Sequence, residues 1–341
     1  MATQRISAKS RVITKMSMVA KFLRQGTISS NRYVQTWLYA GTSGVYVGTL
    51  VNSMRGMPSK NPTTDVYTFD VPDNQQETSQ FCKFYYTGFC VGEMSCSLIR
   101  ANHKHGVYYT PDFTIANADL ELLREINRVI GSSAGIISPI KGGYNLKFRG
   151  KRRVENIFQY FQKYPVVAGD IAKRKLELLR DVLPAIGRYS QVRSRLEVIE
   201  QCRKDLKDLK LHGLIREVDD ARQFYTDCIG YFLAGIIDAE GSCGLKKSEK
   251  RQQPFFAVAM KDRKIIYLLK EFLACGNIHI RSDDGLYHWE TNRKSDVLNV
   301  IKIFTEKYPS KLTKMKERMQ NLERFLNDYT PKSQVKLGIM I

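Results

Sequence analysis

Hydrophobic and polar positions repeat along this chain in two matched copies. The apolar stretch Tyr-Tyr-Thr-Gly-Phe-Cys-Val-Gly-Glu-Met-Ser-Cys (85–96) returns as Phe-Leu-Ala-Gly-Ile-Ile-Asp-Ala-Glu-Gly-Ser-Cys (232–243). In each copy a run with apolar alternation follows and ends at an acid, Asp119 or Asp262, which opens a predicted helix. The apolar faces of these two helices are Leu122, Leu123, Ile126 and Val129, and Ile265, Leu268, Leu269 and Phe272. Such self-similarity predicts two units of one architecture.

The remainder of each copy also stays in step. Each helix ends near a glycine, at 131 or 276, and two short β-rich stretches follow. These stretches are 135–138 with 144–148, and 277–281 with 287–291. A helix closing on Tyr-Pro, at 164/165 or 308/309, and a further basic helix complete the copy. The predicted order is therefore helix, hairpin, helix, hairpin, helix, helix, an α+β fold in which one face of each sheet is polar and the other packs on helices.

The pattern divides the chain into five predicted segments. Between the two copies, Leu196, Ile199 and Leu206 recur at near-helical spacing among many charges, which indicates a helical linker. The segments are a basic N-terminal extension (1–78), a first unit (79–186), a charged linker helix (187–222), a second unit (223–330) and a tail (331–341).

Charge narrows the class of partner. The 54 Lys and Arg outnumber 34 Asp and Glu, and the formal charge of +20 attracts phosphate polymers. We expect no membrane partner, because no apolar run reaches the ~18 residues of a spanning helix. The seven cysteines are scattered without a C-x-x-C pair, so neither a disulfide framework nor a zinc site is predicted, and a reducing compartment fits best.

The N-terminal extension has a composition of its own. Residues 1–64 hold nine Lys or Arg and no acid, and Val12, Met16, Ala20 and Leu23 form one apolar helix face. A mitochondrial transit peptide and a basic arm lying on DNA or RNA both match this composition, and the sequence leaves both interpretations open.

The second apolar stretch contains the most specific motif. Residues 233–241 read Leu-Ala-Gly-Ile-Ile-Asp-Ala-Glu-Gly, which resembles the motif of the LAGLIDADG homing endonucleases. The resemblance extends over about residues 80–326, although Val91 and Met94 stand where the motif has Asp and Gly. It implies a monomer with internal pseudo-symmetry, in which a pseudo-twofold pair of αββαββα units forms a saddle on double-stranded DNA.

The motif positions have a direct physical interpretation. Small residues four apart remove bulk along one stripe, so that two helices can pack with their backbones close together. These predicted helix-interface residues are Gly88, Gly92, Gly235 and Ala239. The helices then end with adjacent carboxylates, Glu93 and Glu240, a pair that is unfavourable unless a cation shares the site.

The family resemblance implies the role of this pair. Glu93 and Glu240, with the backbone carbonyls of Gly92 and Ala239, would bind Mg²⁺ or Mn²⁺, and activated water would attack one phosphodiester in each strand. A double-strand break with short 3′ overhangs is the implied product. Because the first copy lacks the glycine after Glu93, we expect Met94 to alter how the chain leaves that helix.

Basic residues complete the predicted site. The resemblance implies one assisting cation near each carboxylate, with Lys173 or Lys175 in the first half and Lys314 or Lys316 in the second as candidates. Polar, basic and aromatic residues on the hairpins are candidates for contact with DNA. They are Arg100, His103, Lys104, Lys141, Tyr144, Lys147, Arg149, Lys246, Lys247, Lys250, Arg251, Arg281, His288 and Arg293.

Two other functions use the same fold. A group I intron maturase, or a relative that binds RNA without cleaving, would suit the acid-free N-terminal segment and the departures at Val91 and Met94. Intron RNA would then be the partner, and a transcriptional regulator is a third class. The retained carboxylates favour the endonuclease, because paired acids would repel phosphates without a bound cation. The family and the N-terminal composition lead us to expect a mitochondrial or other organellar location.

Overall fold

A computed structural model gives the fold of the 341-residue chain. It describes residues 32–41, 44–53, 80–104, 106–187, 193–213, 223–248, 251–282 and 284–328. The chain divides into two compact units, residues 1–70 and 71–341. The apolar helix face predicted at Val12, Met16, Ala20 and Leu23 lies outside the described residues.

The unit formed by residues 1–70 contains a β-hairpin that the sequence analysis did not predict. Strands β1 (Arg32–Gly41) and β2 (Gly44–Ser53) pair antiparallel, with Gly41 opposite Gly44. Both strands are rich in β-branched and aromatic residues, the types that favour extended backbone, and glycines flank the connection. The absence of acidic residues from positions 1–64 directed the interpretation to a basic arm, and the strand-forming pattern within that segment was overlooked.

The unit formed by residues 71–341 contains both copies of the repeat. In the first half the elements are α1 (Phe84–Glu93), β3 (Met94–His103), β4 (Gly106–Asn117), α2 (Leu120–Gly131), β5 (Ile136–Ile140), β6 (Gly143–Arg149), α3 (Lys151–Lys163) and α4 (Asp170–Val182). A 3₁₀ turn over Leu183–Ala185 follows α4, and α5 (Arg193–His212) then leads towards the second half. The predicted order of helix, hairpin, helix, hairpin, helix, helix is confirmed, and α4 is the further basic helix expected after Tyr164-Pro165.

The second half repeats the same succession. Its elements are α6 (Thr226–Glu240), β7 (Gly241–Ser248), β8 (Arg251–Met260), α7 (Arg263–Leu273), β9 (Asn277–Ile280), β10 (Tyr287–Thr291), α8 (Lys294–Lys302) and α9 (Thr313–Asp328). A π-helical turn over Ile303–Lys307 extends α8. The α+β class with two equivalent units is therefore confirmed.

Each half contains a four-stranded antiparallel sheet with one packed face and one open face. The strand orders are β3-β4-β6-β5 and β7-β8-β10-β9, which are equivalent. Phe113 and Phe148, paired across β4 and β6, are fully buried against helices, as is Trp289 in the second sheet. Because side chains alternate along a strand, the residues between these positions lie on the opposite, open face.

The helices show why the sequence places the core beneath the sheets. Helices α2 and α7 bury Leu123, Ile126, Ile265 and Leu269 while their opposite faces stay exposed. No helix among the described residues is both long and apolar enough to cross a membrane.

Candidate active site

Helices α1 and α6 pack against each other with their backbones nearly in contact. A methyl group added at Gly88 would overlap the carbonyl oxygen of Phe232, and one at Gly235 would overlap the carbonyl oxygen of Tyr85. At Gly92 an added Cβ would lie 2.5 Å from the Cβ of Ala239. The structure thus places all four small residues of the motif where the two helices meet.

The C-terminal ends of this helix pair bring Glu93 and Glu240 together. An added Cβ at Gly92 would lie only 3.7 Å from Oε1 of Glu240, in the turn that precedes Glu93. Each glutamate is the last residue of its helix, where the backbone carbonyls have no partner within the helix. Both carboxylates and the last carbonyl oxygens of the two helices therefore lie at the same end of the helix pair.

The two carboxyls have raised pKa values. Burial, and next the neighbouring charge of Glu93, raise the pKa of Glu240 to about 7, although Lys175 opposes the shift. Burial also raises the pKa of Glu93, while a hydrogen bond from Asn117 partly offsets this effect. The charge of Glu93 thus disfavours the ionised form of Glu240, and a bound cation would offset this effect.

The hydrogen bond to Glu93 distinguishes the two halves. Asn117, the last residue of β4, donates from Nδ2 to Oε1 of Glu93 at 3.1 Å. The same position at the end of β8 is Met260, which is apolar and buried. One carboxylate is thus held by an amide, whereas its counterpart lacks an equivalent polar neighbour on that strand.

The motif acid Asp238 performs a structural task. Its carboxylate accepts hydrogen bonds from the backbone N–H groups of Lys311 (2.7 Å) and Leu312 (2.9 Å) and from the hydroxyls of Tyr85 (2.5 Å) and Ser310. Asp238 thereby fastens the segment before α9 to the motif helix. Its counterpart Val91 is buried and apolar.

The expectation for Met94 is wrong. Met94 leaves α1 with φ −74° and ψ 140°, and Gly241 leaves α6 with φ −80° and ψ 153°. Both values lie in the ordinary extended region that any residue adopts. Met94 therefore leaves α1 much as Gly241 leaves α6, and Glu93 occupies the same helical position as Glu240. In the second half an added Cβ at Gly241 would lie 2.3 Å from the carbonyl oxygen of Ile237, so glycine is needed only there.

The N-cap acids connect each half to the last helix of the other. Asp119, at the start of α2, accepts from the backbone N–H (3.2 Å) and hydroxyl (2.9 Å) of Thr313, where α9 begins. In the same way Asp262, at the start of α7, accepts from the backbone N–H of Ile171 in α4 at 2.9 Å. Helix α9 of the second half therefore contacts Asp119 of the first half, and helix α4 of the first half contacts Asp262 of the second.

The contact of α4 with the second half places Lys175 close to Glu240. Lys175 on α4 is half-buried, and its charge lowers the pKa of the Glu240 carboxyl. Burial lowers the pKa of Lys175, and Lys210 lowers it further. An ammonium group with reduced access to water, next to a carboxylate, can hold and orient a reacting water or phosphate oxygen.

A cavity of about 590 Å³ is lined by Glu93 and by residues of both halves. Its walls include Asn117, Lys314 and Arg318, with the backbone of Ala239 and Gly241 nearby. Of the remaining predicted lysines, Lys173 lines a separate cavity of about 120 Å³, and Lys316 is exposed and absent from the wall of the larger cavity.

Sequence reasoning missed Arg318 and Asn117. The shift along the chain that superimposes Asp119 on Asp262 also superimposes buried Ala172 on buried Met315 and Lys175 on Arg318. Matching the buried positions of α4 and α9 would have found Arg318. Asn117 could have been found because it interrupts an apolar pattern at a strand end, directly before the N-cap acid.

The open face of the first sheet carries only part of the predicted DNA-binding set. His103, Lys147 and Arg149 lie on this face, where His103 contacts the ring of Tyr108 and Arg149 pairs with Asp112 at 3.1 Å. Lys104 and Lys141 occupy the hairpin turns.

Two first-half candidates lie elsewhere, which corrects the prediction. Arg100 shares the packed face with Cys96 and Leu98 and pairs with Glu200 of α5 at 3.7 Å. Tyr144 lies on the same face of β6 as Leu146 and Phe148, which pack on helices, and Lys147 lies on the opposite face.

In the second sheet, Lys246 and His288 lie on the open face. Arg281 follows β9 and pairs with Asp284 at 3.0 Å, and Arg293 is exposed at the start of α8. Lys250 lies outside the described residues, as do the side chains of Lys247 and Arg251.

Comparisons with known proteins agree with this architecture. Residues 233–334 match the family model described as LAGLIDADG endonuclease. The homing endonuclease I-GzeII, solved with its DNA target, superimposes with a TM-score of 0.60 at 18% identity, over 76% of this chain and 92% of its own. I-SmaMI bound to uncleavable DNA superimposes with a TM-score of 0.61 at 19% identity, over 75% and 96%. No curated protein sequence matches the chain. At these identities the structural similarity establishes the fold.

Proposed function

We propose that this chain, which has the LAGLIDADG homing endonuclease fold, is a site-specific endonuclease that cuts both strands of a DNA duplex in a divalent-metal-dependent reaction. The observation that carries the proposal is the pair Glu93 and Glu240 at the end of two packed helices, with Lys175 close to Glu240 and Arg318 in the wall of the cavity that Glu93 lines. Matches to DNA-bound endonucleases of this fold support it.

The donors present fit a hard divalent cation. Among the described residues, no group of three or more His, Cys, Asp and Glu side chains could form a complete metal cage. Mg²⁺ does not require one, because it retains water and binds through one or two carboxylates together with phosphate oxygens. Glu93 and Glu240, with the carbonyl oxygens of Gly92 and Ala239, would supply the protein ligands for Mg²⁺ or Mn²⁺. Bound there, the cation would neutralise phosphate charge and lower the pKa of a coordinated water.

The side chains around the pair have distinct tasks in this proposal. Asn117 fixes the direction of the Glu93 carboxylate through its hydrogen bond. Lys175 would stabilise negative charge on a phosphate next to Glu240, and Arg318 would do so at the cavity next to Glu93. Because helices α4 and α9 each pack on the opposite half, the groups that act on the two strands would lie close together. The two cuts would then be only a few base pairs apart, as in a product with short 3′ overhangs.

The proposed duplex surface is the open face of the two sheets. A duplex placed there would meet His103, Lys147, Arg149, Lys246 and His288. Cations on this face would neutralise backbone phosphates and donate to base edges in the major groove.

Cleavage of a plasmid library carrying candidate intron insertion sites tests the proposal. With Mg²⁺ the wild-type protein should give linear DNA, whereas Glu240→Gln should give at most nicked circles. Glu197→Gln, which changes an exposed carboxylate paired with Arg193 on α5, is the matched control and should cut like wild type. Mapping both cut strands on a denaturing gel gives the overhang.

The same preparations distinguish the maturase alternative. Salt-sensitive binding to group I intron RNA, together with intact plasmid at every Mg²⁺ and Mn²⁺ concentration, would contradict the endonuclease and support an RNA-binding role. Linear product from Glu240→Gln equal to that of wild type would contradict the assignment of the site.

A further inference from the structure

A carboxylate stands on the open face of the second sheet, where DNA would bind. Glu290 on β10 is adjacent in sequence to fully buried Trp289, so strand alternation directs it away from the core. Its side chain is 12% exposed and forms an ion pair with Lys246 of β7. An acid here repels phosphate, so its presence on a DNA-binding face needs another explanation.

Lys246 and Glu290 form an ordered pair. The Lys246 ammonium lies over the ring of Phe255, 5.2 Å from its centroid, and donates a hydrogen bond to Oε1 of Glu290. Asn292 also donates to the Glu290 carboxylate. The aromatic ring and the amide hold a cation and an anion side by side at the surface, with both groups in fixed positions.

Hydrogen-bonding capacity remains on both groups. An ammonium has three donors and Lys246 uses one on Glu290, while a carboxylate accepts at about four positions. On the neighbouring side, Nδ1 of His288 lies 3.9 Å from Oε2 of Glu290 and 2.8 Å from Nε2 of His279. The two histidines share one hydrogen bond through one ring nitrogen each, whereas Lys246 and Glu290 hold a donor and an acceptor group side by side, each with further capacity.

We propose that Lys246 and Glu290 together read one G·C base pair of the target through the major groove. This inference rests on the proposed function and assigns it a specificity element. The cytosine N4 amino group would donate to Glu290, and guanine O6 or N7 would accept from Lys246. Each of these is the preferred base partner of that side chain, and both edges belong to the same pair.

An A·T pair fits this cluster less well. Adenine N7 is an acceptor and repels a carboxylate, and the thymine methyl group occupies the space that an ammonium would enter. The corresponding residue of the first half is Lys147, which occupies the same place on β6 that Glu290 has on β10. The Glu290 carboxylate would therefore contact only the half of the target that the second sheet binds.

Selection of bound duplexes from a randomised DNA library, with the full-length protein in EDTA, tests this inference. We expect the wild-type consensus to contain a G·C pair that is preferred over A·T by roughly tenfold or more. Glu290→Gln should remove that preference, or shift it towards A·T, because glutamine pairs with adenine N6 and N7. All other consensus positions should remain.

Two further variants separate base reading from general effects. Lys246→Met keeps the stem over Phe255 but removes the charge, so it should weaken the preference at the same base pair. Glu197→Gln makes the same chemical change on α5 as Glu290→Gln and should leave the consensus intact. An unchanged G·C preference in Glu290→Gln would overturn the inference while leaving the endonuclease proposal standing. If wild-type protein enriched no consensus, site-specific recognition itself would be wrong.

Discussion

Replacing Glu240 with glutamine should stabilise the metal-free protein at alkaline pH. The Glu240 carboxyl has a pKa of about 7 because burial and the charge of Glu93 disfavour its ionised form. In the unfolded chain a glutamate titrates near pH 4.3. At pH 8 the folded state therefore holds a carboxylate that would be more stable in water, and glutamine removes that unfavourable charge.

The size of the effect follows from the shift and from the exposure of the residue. For a fully desolvated group, a pKa that rises from about 4.3 to about 7 corresponds to about 4 kcal/mol. Glu240 remains partly exposed, so solvent screening reduces the penalty to about 1 kcal/mol. For a folded unit of this size, the melting temperature should rise by about 2 to 4 °C.

The sign changes with pH in a defined way. Below about pH 3 the carboxyl is protonated in both states, because both pKa values lie above that pH, so wild type and Glu240→Gln should be equally stable. The penalty develops as pH rises towards 7 and is complete above it, because the folded pKa exceeds the unfolded one. Thermal unfolding followed by circular dichroism in EDTA, at about pH 3 and about pH 8, measures both limits.

Glu197→Gln is the control, because it removes an exposed glutamate whose surroundings are solvent. Its melting temperature should follow wild type at both pH values. If Glu240→Gln melts at or below the wild-type temperature at pH 8, the two glutamates do not repel each other across a shared centre. Mg²⁺ should stabilise wild type more than Glu240→Gln, because it relieves the same repulsion.

Three other variants test the construction of the site. Gly235→Ala should cost about 3 kcal/mol or more of folding free energy in a denaturant titration, because its methyl group meets backbone of the facing helix, whereas Gly187→Ala has open space and should be neutral. Asp238→Val should cost about 3 kcal/mol in the same titration, since two backbone N–H groups lose their acceptor; a neutral result would contradict the anchoring role. Asn117→Ala should slow cleavage of one labelled strand about 10- to 100-fold while Met260→Leu leaves both strands unaffected, and equal slowing of both strands would refute the asymmetry.

The fold was predictable because the same sequence pattern occurs twice, and each copy supports the assignment of the other. Helix boundaries at Asp119 and Asp262, and strand pairs at equal spacing, support each other, so errors in one copy are visible in the other. The hairpin at residues 32–53 has no second copy, and its strand-forming residues lie in a segment whose basic composition indicated an arm. Evidence from repetition was absent where the prediction failed.

Side-chain direction was less predictable than element order. Arg100 was assigned to DNA by its charge, yet it has the same parity as buried Cys96 and Leu98, and strand alternation places it beneath the sheet. The partners of Asp238 come from a loop more than seventy residues later, which no local pattern reveals. Roles that depend on contacts between distant segments require the structure.

Covalent joining of the two halves has an evolutionary and practical consequence. A symmetric homodimer must present every side chain twice, so its target must be a palindrome. Here Asn117 donates to Glu93, whereas Met260 occupies the equivalent position in the second half, and Glu290 stands on β10 where β6 has Lys147. In the proposed endonuclease, a mutation could therefore change the base preference at one end of the target without altering the other end, and one half could be exchanged by design while the other is kept.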